Sequence, residues 1–182
     1  LSQCRLPDSY TELVVIENGS RAGAEELVEA LPEHLKARYM HRSRGNKSYA
    51  LNQALKTIAD GLVVFFDDDV WVSPETLSSY AEAAEEYGPG HFFGGPVEVD
   101  READPPESLS HLFPRSVRGY DLVESRMGDK YLGFNWAAYR SDLVAVGGFN
   151  TELGPGVDTA TDVGDESELQ DRLLEVGCEG ID

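Results

Sequence analysis

Apolar positions fall along this chain in runs whose spacing switches between two and three to four, the mark of strands alternating with helices. Leu13-Val14-Val15-Ile16, entered through Glu12, stops at the turn formers Glu17-Asn18-Gly19-Ser20, so residues 12–16 read as a buried strand leading into a loop. Leu27, Val28 and Leu31 recur at helical spacing and predict a helix over 24–31 that Pro32 closes. Ala50, Leu51, Ala54, Leu55 and Ile58 predict a second over 48–59, with Gly61 where a terminating glycine belongs. Leu62-Val63-Val64-Phe65-Phe66 is then unbroken apolar sequence, as in a strand covered on both faces within a mostly parallel sheet. Ser73 as N-cap and Pro74 at the first helical position predict a third helix, continued by Tyr80, Ala81, Ala84 and Tyr87. Residues 91–99 and 131–139 read as strands, and 141–146 as a short helix stopped at Gly147-Gly148. Residues 166–176 read as a helix with Leu169, Leu173 and Val176 on one face and Gly177 as its stop. This alternation predicts an α/β, Rossmann-like fold: a mostly parallel sheet flanked by helices.

The length of 182 residues suits a single domain, and no apolar run approaches the roughly 20 residues of a membrane span. The net charge of −19 comes from 34 acidic against 15 basic side chains, with lysine only at Lys36, Lys47, Lys56 and Lys130. Such a field repels a polyanionic duplex, so no nucleic-acid partner is expected. An acidic surface is commonly just solubilising, although the scarcity of lysine also fits adaptation to high salt. Cys4 and Cys178 form no metal-ligand spacing and read as reduced thiols in a cytoplasmic setting, without a bridge being excluded. The chain opens at Leu1 with no initiator methionine or signal sequence, which reads as an excised piece of something longer.

Three consecutive carboxylates, Asp67, Asp68 and Asp69, follow the apolar run directly. Such clustering raises local repulsion and adds nothing to a core, and a divalent cation resolves it. Mg²⁺ or Mn²⁺ prefers carboxylate oxygens and keeps open positions that substrate phosphates fill. In an extended segment Asp67 and Asp69 share a face while Asp68 points elsewhere. The place also suits ligands, which in open α/β sheets lie beyond the carboxyl ends of the strands. The competing reading is a solvated acidic turn ahead of the next helix. Haloacid-dehalogenase phosphatases also carry Asp-x-Asp after a strand, but continue with Gly and Thr or Ser where this chain has Val70-Trp71.

Five segments, in order, resemble family-2 glycosyltransferases of the GT-A fold. Leu13-Val14-Val15-Ile16-Glu17-Asn18-Gly19-Ser20 is similar to that family's second strand and Asp-Asn-Gly-Ser turn. Arg44-Gly45-Asn46-Lys47-Ser48-Tyr49-Ala50-Leu51-Asn52 resembles its Gly-x-x-x-Ala-x-Asn segment, and Phe66-Asp67-Asp68-Asp69 its DxD element. Gly133-Phe134-Asn135-Trp136-Ala137-Ala138-Tyr139-Arg140, with Val146-Gly147-Gly148-Phe149-Asn150, resembles the stretch before the acceptor site. Gly164-Asp165-Glu166-Ser167-Glu168-Leu169, with Arg172 and Gly177, resembles the Gly-Glu-Asp segment that opens the last helix. The resemblance implies a GT-A catalytic domain over 1–182 that lacks the family's first strand and its C-terminal end, the last strand and any later metal-binding histidine included.

The resemblance further implies an inverting transferase. It would move a sugar from a nucleotide-diphosphate donor to a hydroxyl acceptor, saccharide or lipid-linked, in polysaccharide or glycoconjugate synthesis. Glu17 would contact the nucleotide base, with Arg44, Lys47 and Asn52 near base and ribose. Asp67 and Asp68 would approach the ribose and diphosphate, and Asp69, with Asp67, would hold the Mg²⁺ or Mn²⁺. Glu166 stands at the position of the catalytic Asp and Asp165 where Glu is usual, which leaves the base open between the two. An acid in the first turn of a helix is also a common cap. His111 is a candidate near the acceptor, and Phe134 and Trp136 are candidates to stack on a sugar or to fill the core. Many relatives act at the inner face of a membrane, so peripheral association through segments outside this chain is left open. The rival functions are a non-catalytic sugar-nucleotide-binding module of the same fold and, further off, a metal-dependent phosphatase.

Overall fold

The computed structural model describes residues 1–100, 108, 112, 130–156 and 163–181. His111 and most of the proline-bearing loop from Asp100 to Pro106 lie outside them. The elements in order are β1 (Leu13–Asn18), α1 (Ala24–Glu29), a 3₁₀ turn (Glu33–Leu35), β2 (Ala37–Arg42), α2 (Lys47–Leu55) and β3 (Leu62–Phe65). There follow α3 (Thr76–Tyr87), β4 (His91–Gly94), β5 (Trp136–Tyr139), α4 (Arg140–Ala145), α5 (Asp165–Glu175) and β6 (Glu179–Ile181). Strands β1 and β2 pair in parallel, and a second sheet runs β3-β5-β4-β6. In that sheet β4 and β6 are parallel, while β5 lies antiparallel to both its neighbours. The result is an α/β fold with parallel pairs flanked by helices. No helix among the described residues is long and apolar enough to cross a membrane.

Strand β5 is the centre of the core. Trp136, Ala137 and Ala138 are wholly buried, and strand alternation sends them to opposite faces. Trp136 and Ala138 join Phe92, Leu143, Phe149, Leu169 and Leu173 on one face. Ala137 joins Phe93 and Tyr80 of α3 on the other. The Trp136 indole stacks on Phe65 with ring centroids 4.8 Å apart, so it fills the core and cannot meet a sugar. Phe134 falls in the turn that precedes β5, since only the last four residues of the expected 131–139 strand are extended. Strand β4 likewise ends at Gly94, well before Val99.

Several expectations are corrected. Residues 37–42 form a strand that the apolar pattern did not announce. As an edge strand beside β1 it has little apolar demand; Arg38 bonds to Glu12, just ahead of β1, and Tyr39 to Glu17 within it. A strand also follows Gly177, where the chain was expected to stop short of one. Cys178 N–H donates to the Leu173 carbonyl and Gly177 N–H to that of Leu174, a Schellman ending with Gly177 at a φ of 90°. That turn lets Glu179 N–H reach the Gly90 carbonyl and start β6 along β4. Helix α2 begins one residue early, at Lys47, and ends at Leu55, so Gly61 opens β3 and does not cap a helix. Helix α3 starts at Thr76; Ser73 contributes only its backbone carbonyl, to Thr76 N–H at 3.1 Å. Leu27 and Val176 prove 72% and 66% exposed, so the apolar stripes of α1 and α5 are narrower than their spacing suggested. Cys4 and Cys178 are unpaired.

These burials separate two leucines of equal chemistry. Leu169→Ala, at a wholly buried site, is expected to cost about 2–5 kcal/mol, whereas Leu27→Ala should stay within about 0.5 kcal/mol. Urea unfolding of the two variants checks both, and a large loss at Leu27 would contradict the orientation of α1.

Candidate active site

Three elements end at one place. Strand β3 stops at Phe65 and hands the chain to Asp67, half-buried, and then to Asp68 and Asp69, exposed in a turn. The extended run therefore ends before Asp68, and strand alternation does not relate Asp67 to Asp69. The far side of this loop is held by the N-terminal segment: Cys4 Sγ donates to the Ser73 carbonyl at 3.4 Å and Arg5 N–H to that of Pro74 at 2.7 Å. Helix α2 starts beside it because Asn46, only 1% exposed, caps the helix by accepting from Tyr49 N–H at 2.6 Å. Helix α5 opens with Asp165 and Glu166 behind Gly164.

Lys47 ties the three together. Its Nζ donates to Asp67 Oδ1 at 2.9 Å and to Glu166 Oε1 at 2.8 Å. The cation is a quarter exposed and the Glu166 side chain only 15%, so these pairs sit in a medium where charge matters more than at an open surface. Burial opposes the Lys47 charge, but its bonds to Glu166 and Asp67 outweigh that and hold its pKa well above the ordinary lysine value.

The two candidate bases differ sharply. Asp165 is 1% exposed and accepts from Ser48 Oγ at 3.1 Å. Burial, followed by its hydrogen bond to Glu166, pushes its pKa up to about 6. Burial acts on Glu166 too, yet hydrogen bonds from Asp165 and Lys47 prevail and hold it below the usual carboxylate range. Below about pH 6 the pair therefore shares a proton that sits on Asp165, leaving Glu166 as the anion at the positive end of α5. Two glycines make room. A Cβ at Gly133 would come within 2.4 Å of the Glu166 carboxyl carbon, and one at Gly154 within 2.6 Å of that of Asp165.

The remaining candidates lie apart from this cluster in their bonding. Glu17 accepts from the Tyr39 hydroxyl and from Ala22 N–H, and these bonds, the tyrosine's first, hold it below the usual carboxylate range. Arg44 lies over the Tyr49 ring, 5.1 Å from its centroid. Asn52 is a clasp: Oδ1 accepts from Phe149 N–H at 2.8 Å and Nδ2 donates to the Phe149 carbonyl at 2.7 Å. Its amide is thus spent on the chain itself, which runs against the expected place beside base and ribose. Among the described residues no group of three His, Cys, Asp or Glu side chains is arranged to hold a metal ion.

Ser48, Asn46 and Trp71 went unassigned in the sequence. The Leu153 carbonyl lies 3.2 Å from Ser48 Oγ as an alternative acceptor for its one proton, while Asn46 Nδ2 donates to the Thr151 carbonyl at 3.1 Å and Lys47 N–H to that of Pro155 at 3.2 Å. Helix α2 thereby fixes the loop that approaches α5. An asparagine just ahead of the helical period was the available signal for the cap. Trp71 is 93% exposed two residues after Asp69, and it, not Trp136, is the aromatic ring open beside the acids.

The model of the glycosyl transferase family 2 matches residues 1–143 and so ends before α5. No curated protein sequence matches the chain. Among solved structures, the mannosyltransferase PcManGT of Pyrobaculum calidifontis, in complex with GDP-Man and Mn²⁺, is 22% identical with a TM-score of 0.69, over 98% of this chain and 47% of that one. TarS 1-349 of S. aureus, in complex with UDP-GlcNAc, is 18% identical with a TM-score of 0.69, over 98% and 48%. A further structure of S. aureus TarS is 17% identical with a TM-score of 0.70, over 98% and 30%. The chain spans less than half the length of these proteins, and the likeness establishes the GT-A fold.

The shared proton predicts a pH dependence. Unfolded, Asp165 ionises in the ordinary carboxylate range near 3.8; folded, it keeps its proton to about 6. The folded state binds more protons between these values, so this group's contribution to stability falls as pH rises through that window. Asparagine keeps an acceptor for Ser48 and an N–H for Glu166 without titrating. Asp165→Asn is expected to gain stability relative to wild type as pH rises from about 4 to 6, read by urea unfolding at each pH. A constant difference across the window would refute the shared proton.

Proposed function

This chain belongs to glycosyl transferase family 2, and we propose that it forms the catalytic core of an inverting transferase that moves a sugar from a nucleoside-diphosphate donor to a hydroxyl acceptor. The observation that carries the reading is the Lys47 bridge, which joins an acid at the carboxyl end of β3 to an acid at the start of α5. Chemistry between a phosphorylated donor and a hydroxyl needs these two parts side by side: a place for the diphosphate and a carboxylate to take the acceptor's proton.

Glu166 is the base. Its carboxylate is held ionised and retains some exposure. Asp165 is buried against Ser48, which suits it to orienting Glu166 and not to meeting an acceptor. The Glu166 carboxyl packs directly against the Gly133 backbone, in the space a side chain there would fill. On the donor side, Asp67 and Asp69 are the residues to hold Mg²⁺ or Mn²⁺. Two carboxylates in one loop fit a cation that takes one or two protein oxygens and completes its shell with phosphates and water, a demand that needs no cage of three protein ligands. The bound cation would neutralise the charge that develops on the departing nucleoside diphosphate. Asp68 faces solvent in the same turn. Glu17 and Arg44, at the ends of β1 and β2, line the approach on which a nucleotide base is expected. The GDP-Man and UDP-GlcNAc carried by the structural relatives support a donor of this class and leave the nucleotide itself open. Saccharide and lipid-linked acceptors, in polysaccharide or glycoconjugate synthesis, both satisfy the chemistry.

Two measurements on the full-length protein test this. Mn²⁺ is expected to tighten binding of UDP or GDP in calorimetry, and Asp69→Ala to remove that enhancement. Glu166→Gln is expected to slow nucleoside-diphosphate release from the preferred sugar nucleotide by roughly 10²–10⁴-fold while donor binding survives. No metal enhancement with either nucleotide, together with an unaffected Glu166→Gln rate, would leave the reading without support.

A further inference from the structure

We propose that Lys47 is a positioning residue that couples the two halves of the site: it holds Glu166 while the donor pocket is empty and is drawn off it by the arriving nucleoside diphosphate. The inference rests on the assignment of the donor to Asp67–Asp69 and of the base to Glu166, and adds an order of events to it.

The geometry is that of a shared counter-ion. One ammonium serves two carboxylates at 2.9 and 2.8 Å, one from each half of the site. The two acids lie in segments 99 residues apart in sequence and are joined through Lys47 of α2. Glu166 has its other flank against Gly133 and its neighbour Asp165. In this arrangement Glu166 Oε1 already accepts from Lys47, so an acceptor hydroxyl competes with an ammonium for it. An occupied donor site changes the balance at Lys47. Asp67 is then engaged by the cation it would hold, and the diphosphate oxygens that the cation leaves free offer Lys47 new anionic acceptors. A lysine ammonium is a compact charge on a flexible stem and exchanges Glu166 for these oxygens. Its backbone does not need to move, since the Lys47 N–H bond to the Pro155 carbonyl and the Asn46 cap fix the helix end independently of the side chain. Glu166 is left with an open lone pair. The base becomes competent only after the donor is in place, which protects it from engaging an acceptor over an empty pocket.

Coupling of this kind is reciprocal. If loading draws Lys47 away from Glu166, then removing the Glu166 charge must favour loading, and must do so through Lys47. The probe is UDP or GDP with Mn²⁺, whichever the wild-type full-length protein binds, titrated by calorimetry. Glu166→Gln is expected to bind it roughly three- to tenfold more tightly than wild type, the scale of one partly buried ion pair. In a Lys47→Met background the same Glu166→Gln change should alter affinity by less than about twofold, which isolates the part carried by the ammonium from the direct field of the carboxylate. Lys47→Gln serves as a second background, and thermal unfolding of each variant confirms that it is folded. Unchanged or weaker binding in Glu166→Gln, or equal tightening with and without Lys47, would overturn the coupling while leaving the donor reading intact. Absence of nucleotide binding in the wild type would instead remove the donor reading and the coupling with it.

Discussion

The active end of this fold depends on one positive charge placed among acids. Asp67, Asp165 and Glu166 converge where the solvent is partly excluded, and three ionised carboxylates there would repel one another at a low effective dielectric. Lys47 resolves this by neutralising Asp67 and Glu166, while burial raises the Asp165 pKa to about 6. In a protein with a net charge of −19 and only four lysines, the position of that one lysine is a strong constraint on everything around it.

The scaffold can be read as the means of placing it. Asn46 starts α2 one residue before Lys47, so the lysine sits in the first helical turn with its stem aimed across the end of β3. Asn52, five residues on, clasps the backbone at Phe149, whose ring packs against Phe65 and Trp136. Helix α2 is thus fixed to the core at one end and to the site at the other. Ser48 lies between and meets Asp165 directly. On the opposite side Arg172 of α5 bonds Glu168 and the carbonyls at Val146 and Gly148, anchoring α5 to the end of α4. Small, wholly buried side chains at Ala137 and Ala138 keep both faces of β5 low enough for other elements to pack closely on the sheet.

Much of this was legible in the sequence, and the parts that were not have physical causes. The apolar run at Leu62–Phe65 announced a strand because that signal is local, but the strand proves only half-buried, at the edge of its sheet and antiparallel to β5, and not covered on both faces among parallel neighbours. Strand Ala37–Arg42 was silent because an edge strand can be mostly polar, and its pairing partner β1 lies 24 residues away in register. The short strand at Glu179–Ile181 is specified by the Schellman turn at Gly177 more than by its own three residues. Asn52 carried a recognisable motif, but a side-chain amide that satisfies a backbone looks the same in sequence as one that reads a ligand. The choice between Asp165 and Glu166 was undecidable there for a related reason. Neighbouring acids at a helix start differ only in direction, and here one turns into the core toward Ser48 while the other turns to Lys47 and packs against Gly133.

Lysine is also the residue type this geometry asks for. An arginine in its place would present a planar fork that matches one carboxylate bidentately, and would tend to commit to either Asp67 or Glu166. Three donors around a single nitrogen can instead serve two acids arriving from different elements, and can exchange either for a phosphate without rotating a rigid plane. The price is a larger desolvation of the compact ammonium, and burial is indeed the largest influence opposing its charge. That opposition is outweighed only while anions remain within reach, so the cation moves between anions and is never left without one. A site built on such a residue is stable with its pocket empty and remains responsive when phosphate oxygens enter.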